Sequence, residues 1–162
     1  MRWAAVLLTA AAVLWVVALV AAPFGLTQSS SLTAAFVYEA AARVCHQQAD
    51  RSFQLAGVQM PVCARCFGLY LSGGAGAVAA WLRVRRPSRV VLSRGGQLAL
   101  LCVAAPTVIS LLAEWVGLVH PSNLARALAA IPLGSFAAWL FVRALRAEVE
   151  PRRPIERVRY HA

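Results

Sequence analysis

Lysine is absent from this chain: all 16 of its basic residues are arginine, set against only six acids. Without a lysine there is no Gly-Lys-Ser/Thr phosphate loop, so Ser72-Gly73-Gly74 is read as helix-packing sequence instead. Charge of either sign is scarce. Charged residues make up 14% of the 162 positions and hydrophobic ones 60%, whereas a soluble domain carries roughly 25% charged residues. An ordinary soluble domain is thereby excluded, and the membrane class follows. The net charge of +10 would suit nucleic acid, but the arginines cluster between apolar runs. Topology and anionic headgroups account for them there, so a lipid bilayer is the expected partner and nucleic acid is not.

What the chain has is long apolar runs. Residues 4–22 carry no charge, and at about 1.5 Å per residue they are long enough to cross a hydrocarbon core of about 30 Å. This run exceeds the core of a usual signal peptide, and Pro23 would directly follow the cut, so an uncleaved anchor is expected. Further spans are expected at about 63–82, 97–119 and 124–142. Between the first two, Leu32, Phe36, Ala40 and Val44 recur every fourth residue, which predicts a short amphipathic helix over about 32–46. The segment 47–60 reads as a polar loop, with Pro61 opening the next helix. Gly68, Ser72, Gly76 and Ala80 form a small-residue stripe, as do Ala130, Gly134 and Ala138. Such stripes let helices of the same chain, partner membrane helices or a second copy approach closely.

The fold class expected is therefore an all-α integral membrane protein with four transmembrane helices and one short extracytoplasmic amphipathic helix. Residues 1–143 form the membrane domain and 144–162 a basic cytoplasmic tail. Four spans put both termini on the side of the 83–96 connection, which together hold twelve arginines; the other side has Arg43, Arg51, Arg65 and Arg126. The positive-inside rule makes the twelve cytoplasmic, in a multi-pass cell-membrane protein, and leaves the segments around Cys45, Cys63, Glu114 and His120 extracytoplasmic.

Three of the four cysteines lie between Cys45 and Cys66, in Cys45-His46-Gln47 and Cys63-Ala64-Arg65-Cys66. Cys63 and Cys66 are spaced to share one face of a helix's first turn. Free N–H groups, the helix dipole and Arg65 would favour their thiolates there. The first reading is a metal site of Cys45, His46, Cys63 and Cys66, a set suited to zinc and less well to iron. Cys45 and His46 are adjacent, so both could reach one ion only if the helix ends there. With water in place of one ligand, Glu114 or His120 could act as base in a hydrolysis. The second reading is a membrane thiol-disulfide oxidoreductase using Cys63 and Cys66 with Cys45 as relay, and the third is a noncatalytic scaffold with a structural disulfide. Arg51 and Arg126 are candidates for orienting the loop or holding an anionic group. Glu114, an acid at membrane depth, is expected to face protein, water or a partner, either in a functional role or as a buried pair with Arg126. Cys102, midway along a span, is expected to pack as a small hydrophobe.

Cys45-His46-Gln47, Arg51-Ser52-Phe53, Gly57, Pro61, Cys63-Ala64-Arg65-Cys66, Gly68 and Tyr70 resemble the defining motif of a small membrane family, domain of unknown function 2085. The likeness continues at Pro106, Gly117, Ser122-Asn123, Arg126 and Gly134, covering roughly residues 35–140. It implies the membrane class and marks these positions, without implying a reaction. Two positions depart from the pattern: Ser110 stands where an acid is expected, and Glu114 where an amide is expected. Positions four apart share a helix face, so the acid can have moved by one turn while facing the same way.

Overall fold

A computed structural model describes residues 2–28, 31–82 and 94–147. The element order is α1 (Arg2–Gln28), α2 (Leu32–Ala42), a 3-10 turn (Ala49–Arg51), β1 (Ser52–Leu55), β2 (Val58–Cys63), α3 (Ala64–Ala79), α4 (Arg94–Trp115) and α5 (Asn123–Ala147). Most of the 83–96 connection and most of the basic tail lie outside the described residues. Among the described residues three helices, α1, α4 and α5, are long and apolar enough to cross a membrane.

α3 is the central helix, and its small-residue stripe is the reason. Gly68, Ser72, Gly76 and Ala80 are all buried. A Cβ on Gly68 would run into the backbone of Ala127, and one on Gly76 into the backbone of Ser135. On α5, a Cβ on Gly134 would meet Ser72 and the backbone of Leu69. Positions rise together along both helices, so α3 and α5 run in the same direction at backbone contact, as small-residue stripes permit. α1 packs antiparallel to α3: Trp81 at the end of α3 donates to Thr9 Oγ1 near the start of α1, at 3.0 Å, and Trp15 meets Tyr70 edge to face. α4 lies along α5, where Thr107 donates to the Ala129 carbonyl at 2.7 Å.

The segment expected to be a loop is a β-hairpin. β1 and β2 pair antiparallel, with Leu55 opposite Val58 and Ser52 opposite Cys63. The two turn residues, Ala56 and Gly57, both have positive φ (51° and 77°), the geometry that matches the natural strand twist. The expectation of a purely helical fold therefore gains one small sheet. Pro61 lies inside β2, not at the start of a helix, and α3 begins at Ala64. A proline is tolerated because the sheet has only two strands, each with a free edge, and the pairing is irregular between Ser52 and Gln54.

Two helix boundaries also differ from the sequence reading. α2 ends at Ala42, short of 46. Its stripe faces outward, Leu32 and Phe36 being 87% and 73% exposed, while Ala34 and Ala41 are buried. Small side chains turn inward because α1 is close: a Cβ on Gly25 would lie 3.2 Å from that of Ala34. α4 ends at Trp115, not near 119, because Gly117 takes a positive φ of 76° and the amides of Gly117 and Leu118 bond back to the carbonyls of Glu114 and Ala113. This glycine stop holds Glu114 in the last turn.

Candidate functional site

The hairpin ends where α3 begins, and Cys63 is the residue at the join, extended (φ −67°, ψ 158°) in the N-cap position. Cys66, three residues on, returns to the same side. Cys45 reaches them from the end of α2, its amide bonded to the Ala41 carbonyl at 2.9 Å. The three sulfur atoms lie within 4.8 Å of one another. Cys45 is buried, Cys63 and Cys66 half-buried, and all three are free thiols. They sit against an apolar cluster of Leu19, Ala41 and Val62, flanked by Trp15, Val37, Phe67 and Tyr70. The Cys63 amide donates to Cys45 Sγ at 3.2 Å.

The Cys63 thiol is lowered to about 5, first by its hydrogen bond with Cys66, against the opposing effect of burial. The backbone amides of Cys66 and Arg65 at the start of α3 add to this. The side chain of Arg65 was expected beside the thiols; it reaches Ser110 and Glu114 instead.

Gln47 fastens the cysteine-bearing segments together. Its backbone is left-handed (φ 49°), which directs the side-chain amide back between α2 and β2. Nε2 donates to the carbonyls of Tyr38 and Pro61, both at 2.8 Å, while Gln59 Nε2 donates to the Gln47 carbonyl at 2.6 Å. The sequence reading gave Gln47 no role. The signal available was its place directly after Cys45-His46 in the family motif.

His46 does not join the sulfurs: α2 does end before it, but the ring is exposed and outside the cluster. Glu114 and His120 are outside it too; His120 is exposed beyond the end of α4. Cys102, expected to pack, is exposed on α4.

Glu114 organises a second cluster at the same end of the helices. It is 8% exposed. Arg126 binds it twice, Nη2 to Oε1 at 2.8 Å and Nε to Oε2 at 3.4 Å, and is itself held by Asn123 Oδ1 at 2.8 Å. Arg65 Nη2 donates to Glu114 Oε2 at 3.1 Å and to Ser110 Oγ at 3.2 Å. Arg51 Nη1 lies 3.3 Å from Oε1. Asn123 also donates to the Ser52 carbonyl at 3.0 Å, tying α5 to the hairpin. The expected Glu114–Arg126 pair is present, with Arg51 and Arg65 added. Arg65 was missed as a partner because its neighbours in sequence are thiols.

Apolar helices of spanning length, a close-packed helix pair and a three-sulfur cluster at one end of it define a small multi-helix membrane protein with a thiol centre that could hold a metal ion. Residues 45–140 match the family described as "Predicted membrane protein (DUF2085)", and the chain belongs to that family. Among similar proteins, one from Methanothermobacter thermautotrophicus, described as uncharacterised, is 34% identical over 92 residues, covering 56% of this chain and 78% of its own. Another, from Methanocaldococcus jannaschii and also described as uncharacterised, is 50% identical over 34 residues, 21% of this chain and 22% of its own. No solved structure matches the chain.

Proposed function

We propose that this protein crosses the membrane four times and holds a metal ion through Cys45, Cys63 and Cys66 on the extracytoplasmic side. The observation that carries the metal reading is the convergence of these three sulfurs within 4.8 Å from two separate segments. A backbone N–H hydrogen bond to one sulfur, like that from Cys63 N–H to Cys45 Sγ, is the kind of outer support that metal-bound thiolates receive. Three thiolates favour zinc, with iron second. The fourth position falls to a ligand from outside the chain, or to His46 only if its exposed ring turns in toward the sulfurs. When bound, the ion would clamp α2 to the start of α3. Glu114 is the anchor of the arginines around it, not a base, since these take up both of its oxygens.

The fourth span is α3. Its 16 residues cover about 24 Å, slightly under the hydrocarbon thickness. Support comes from its neighbours, for its end meets the start of α1 through Trp81 and the end of α5 through Arg146, which donates to the Ala80 carbonyl. The arginine distribution favours cytoplasmic termini, with residues 144–162 as a cytoplasmic tail.

The deciding experiment is elemental analysis of protein purified without chelator, with free thiols titrated before and after reduction. About one metal per chain is expected, lost in Cys45→Ser, Cys63→Ser and Cys66→Ser. Metal retained in His46→Ala would assign the fourth ligand to an external donor. A metal-free protein with reduced thiols would overturn the reading. The second reading, thiol-disulfide exchange, is favoured by two free thiols, Cys63 and Cys66, lying within hydrogen-bond reach with the Cys63 pKa lowered, and a reducible disulfide without metal would select it.

A further inference from the structure

The Glu114 cluster carries more positive charge than its carboxylate can answer. Arg51, Arg65 and Arg126 all point at one buried acid. Asp50 stands 3.6 Å from Arg51 Nε but is 75% exposed, so water screens most of its effect. The remaining partners, Ser110 and Asn123, are neutral. About two positive charges are left over; that on Arg51 is partly solvated, whereas that on Arg65, only 16% exposed, is costly to leave uncompensated. Moreover, Nε of Arg51 and Nε of Arg65 are buried without a hydrogen-bond partner, although buried donors are nearly always satisfied.

We infer that Arg51 and Arg65 form a binding site for a phosphate oxyanion, with Glu114 and Arg126 as its positioning pair. Guanidinium forks match the paired oxygens of phosphate. Arg126 is spent on Glu114 and Asn123, so it holds the carboxylate still. Arg51 and Arg65 keep unused donors. Arg51, 41% exposed, forms the open side through which an anion enters. The site opens at a depth that suits a headgroup: Trp115, Val116 and Leu118, directly after Glu114, are exposed apolar residues, as at a bilayer interface. The phosphate can thus belong to an anionic lipid or be free in solution.

The test uses the full chain in nanodiscs of phosphatidylcholine, alone, with added phosphatidylglycerol, or with inorganic phosphate at matched ionic strength. Thermal unfolding and lipid retained in native mass spectrometry are the readouts. Arg51→Gln is the main variant, because it leaves Arg65 and Arg126 on Glu114. Arg43→Gln, at the exposed position just after α2, removes the same charge elsewhere. Retention of phosphatidylglycerol by wild type and Arg43→Gln, weakened about tenfold in Arg51→Gln, assigns a headgroup. Stabilisation by inorganic phosphate without lipid retention, again lost in Arg51→Gln, assigns the soluble anion. If neither probe affects wild type, or if Arg51→Gln responds like Arg43→Gln, there is no such site.

Discussion

The guanidinium of Arg65 lies 3.1 Å from the carboxylate of Glu114, 49 positions later in the chain, and the same Nη2 reaches Ser110 Oγ. One donor thus touches both positions singled out in the third apolar run, Ser110 and Glu114. Four residues apart on α4, the two share a face, so an acid at either one meets the same arginine.

Moving the acid from position 114 to position 110 should therefore be tolerated. Glu114→Gln removes the charge that three arginines surround, and it is expected to cost about 3–5 kcal/mol, as breaking buried ion pairs does. Adding Ser110→Glu should recover part of that loss, read as the thermal midpoint in detergent. A double variant less stable than Glu114→Gln alone would show that the two positions are not interchangeable.

The helix contact makes a sharp contrast among glycines of one helix. Gly68→Ala and Gly76→Ala drive a methyl into α5 backbone and should each cost about 1–3 kcal/mol or more. At Gly73 the nearest atom to a Cβ is 3.8 Å away. Gly73→Ala should be neutral or stabilising, because alanine is the better helix former. Equal losses at all three positions would contradict the packing described.

Cys63 should be reactive well below neutral pH in reduced, metal-free protein. With its pKa lowered to about 5, alkylation should be half-maximal near that pH and flat above neutrality, whereas an ordinary thiol is half ionised only at about 8.5. Because the folded value lies below the unfolded one, the stability that this thiolate contributes is complete above the ordinary thiol range and declines as pH falls toward 5. Cys66→Ala removes the principal cause and should shift the reactivity profile upward; an unchanged profile would assign the shift elsewhere.

Gln47→Ala leaves the Tyr38 and Pro61 carbonyls without their donor, at a cost of about 1–3 kcal/mol. Gln47→Glu should be worse, since a carboxylate opposite two carbonyls repels both. Metal per chain should fall in parallel with stability, because Gln47 joins the segment bearing Cys45 to the strand bearing Cys63.

The long helices and the small-residue faces of α3 and α5 were legible in the sequence because their signals are local, whereas the stripe read for α2 faces outward. Uncharged runs identify long apolar helices, and a small residue at every fourth position marks a face. The three cysteines could be grouped, since soft ligands are rare. The hairpin was not legible, because Pro61 at the head of a helical stretch is a conventional start signal, and only pairing with β1 places it in a strand. His46 was grouped with the thiols by adjacency, but the chain leaves α2 with Cys45 inward and His46 outward. Arg65 and Arg51 were beyond reach as partners of Glu114, since nothing in a linear pattern brings residues so distant together.

Ser52 faces Cys63 across the hairpin, and the Ser52 carbonyl is held by Asn123. One strand pairing therefore fixes Cys63, at the end of β2, against Arg51, directly before β1. Sliding that pairing by a single residue would turn every side chain in it to the opposite face. Sulfur cluster and arginine cluster would then come apart together, so the hairpin acts as a common hinge pin whose register neither centre can lose alone.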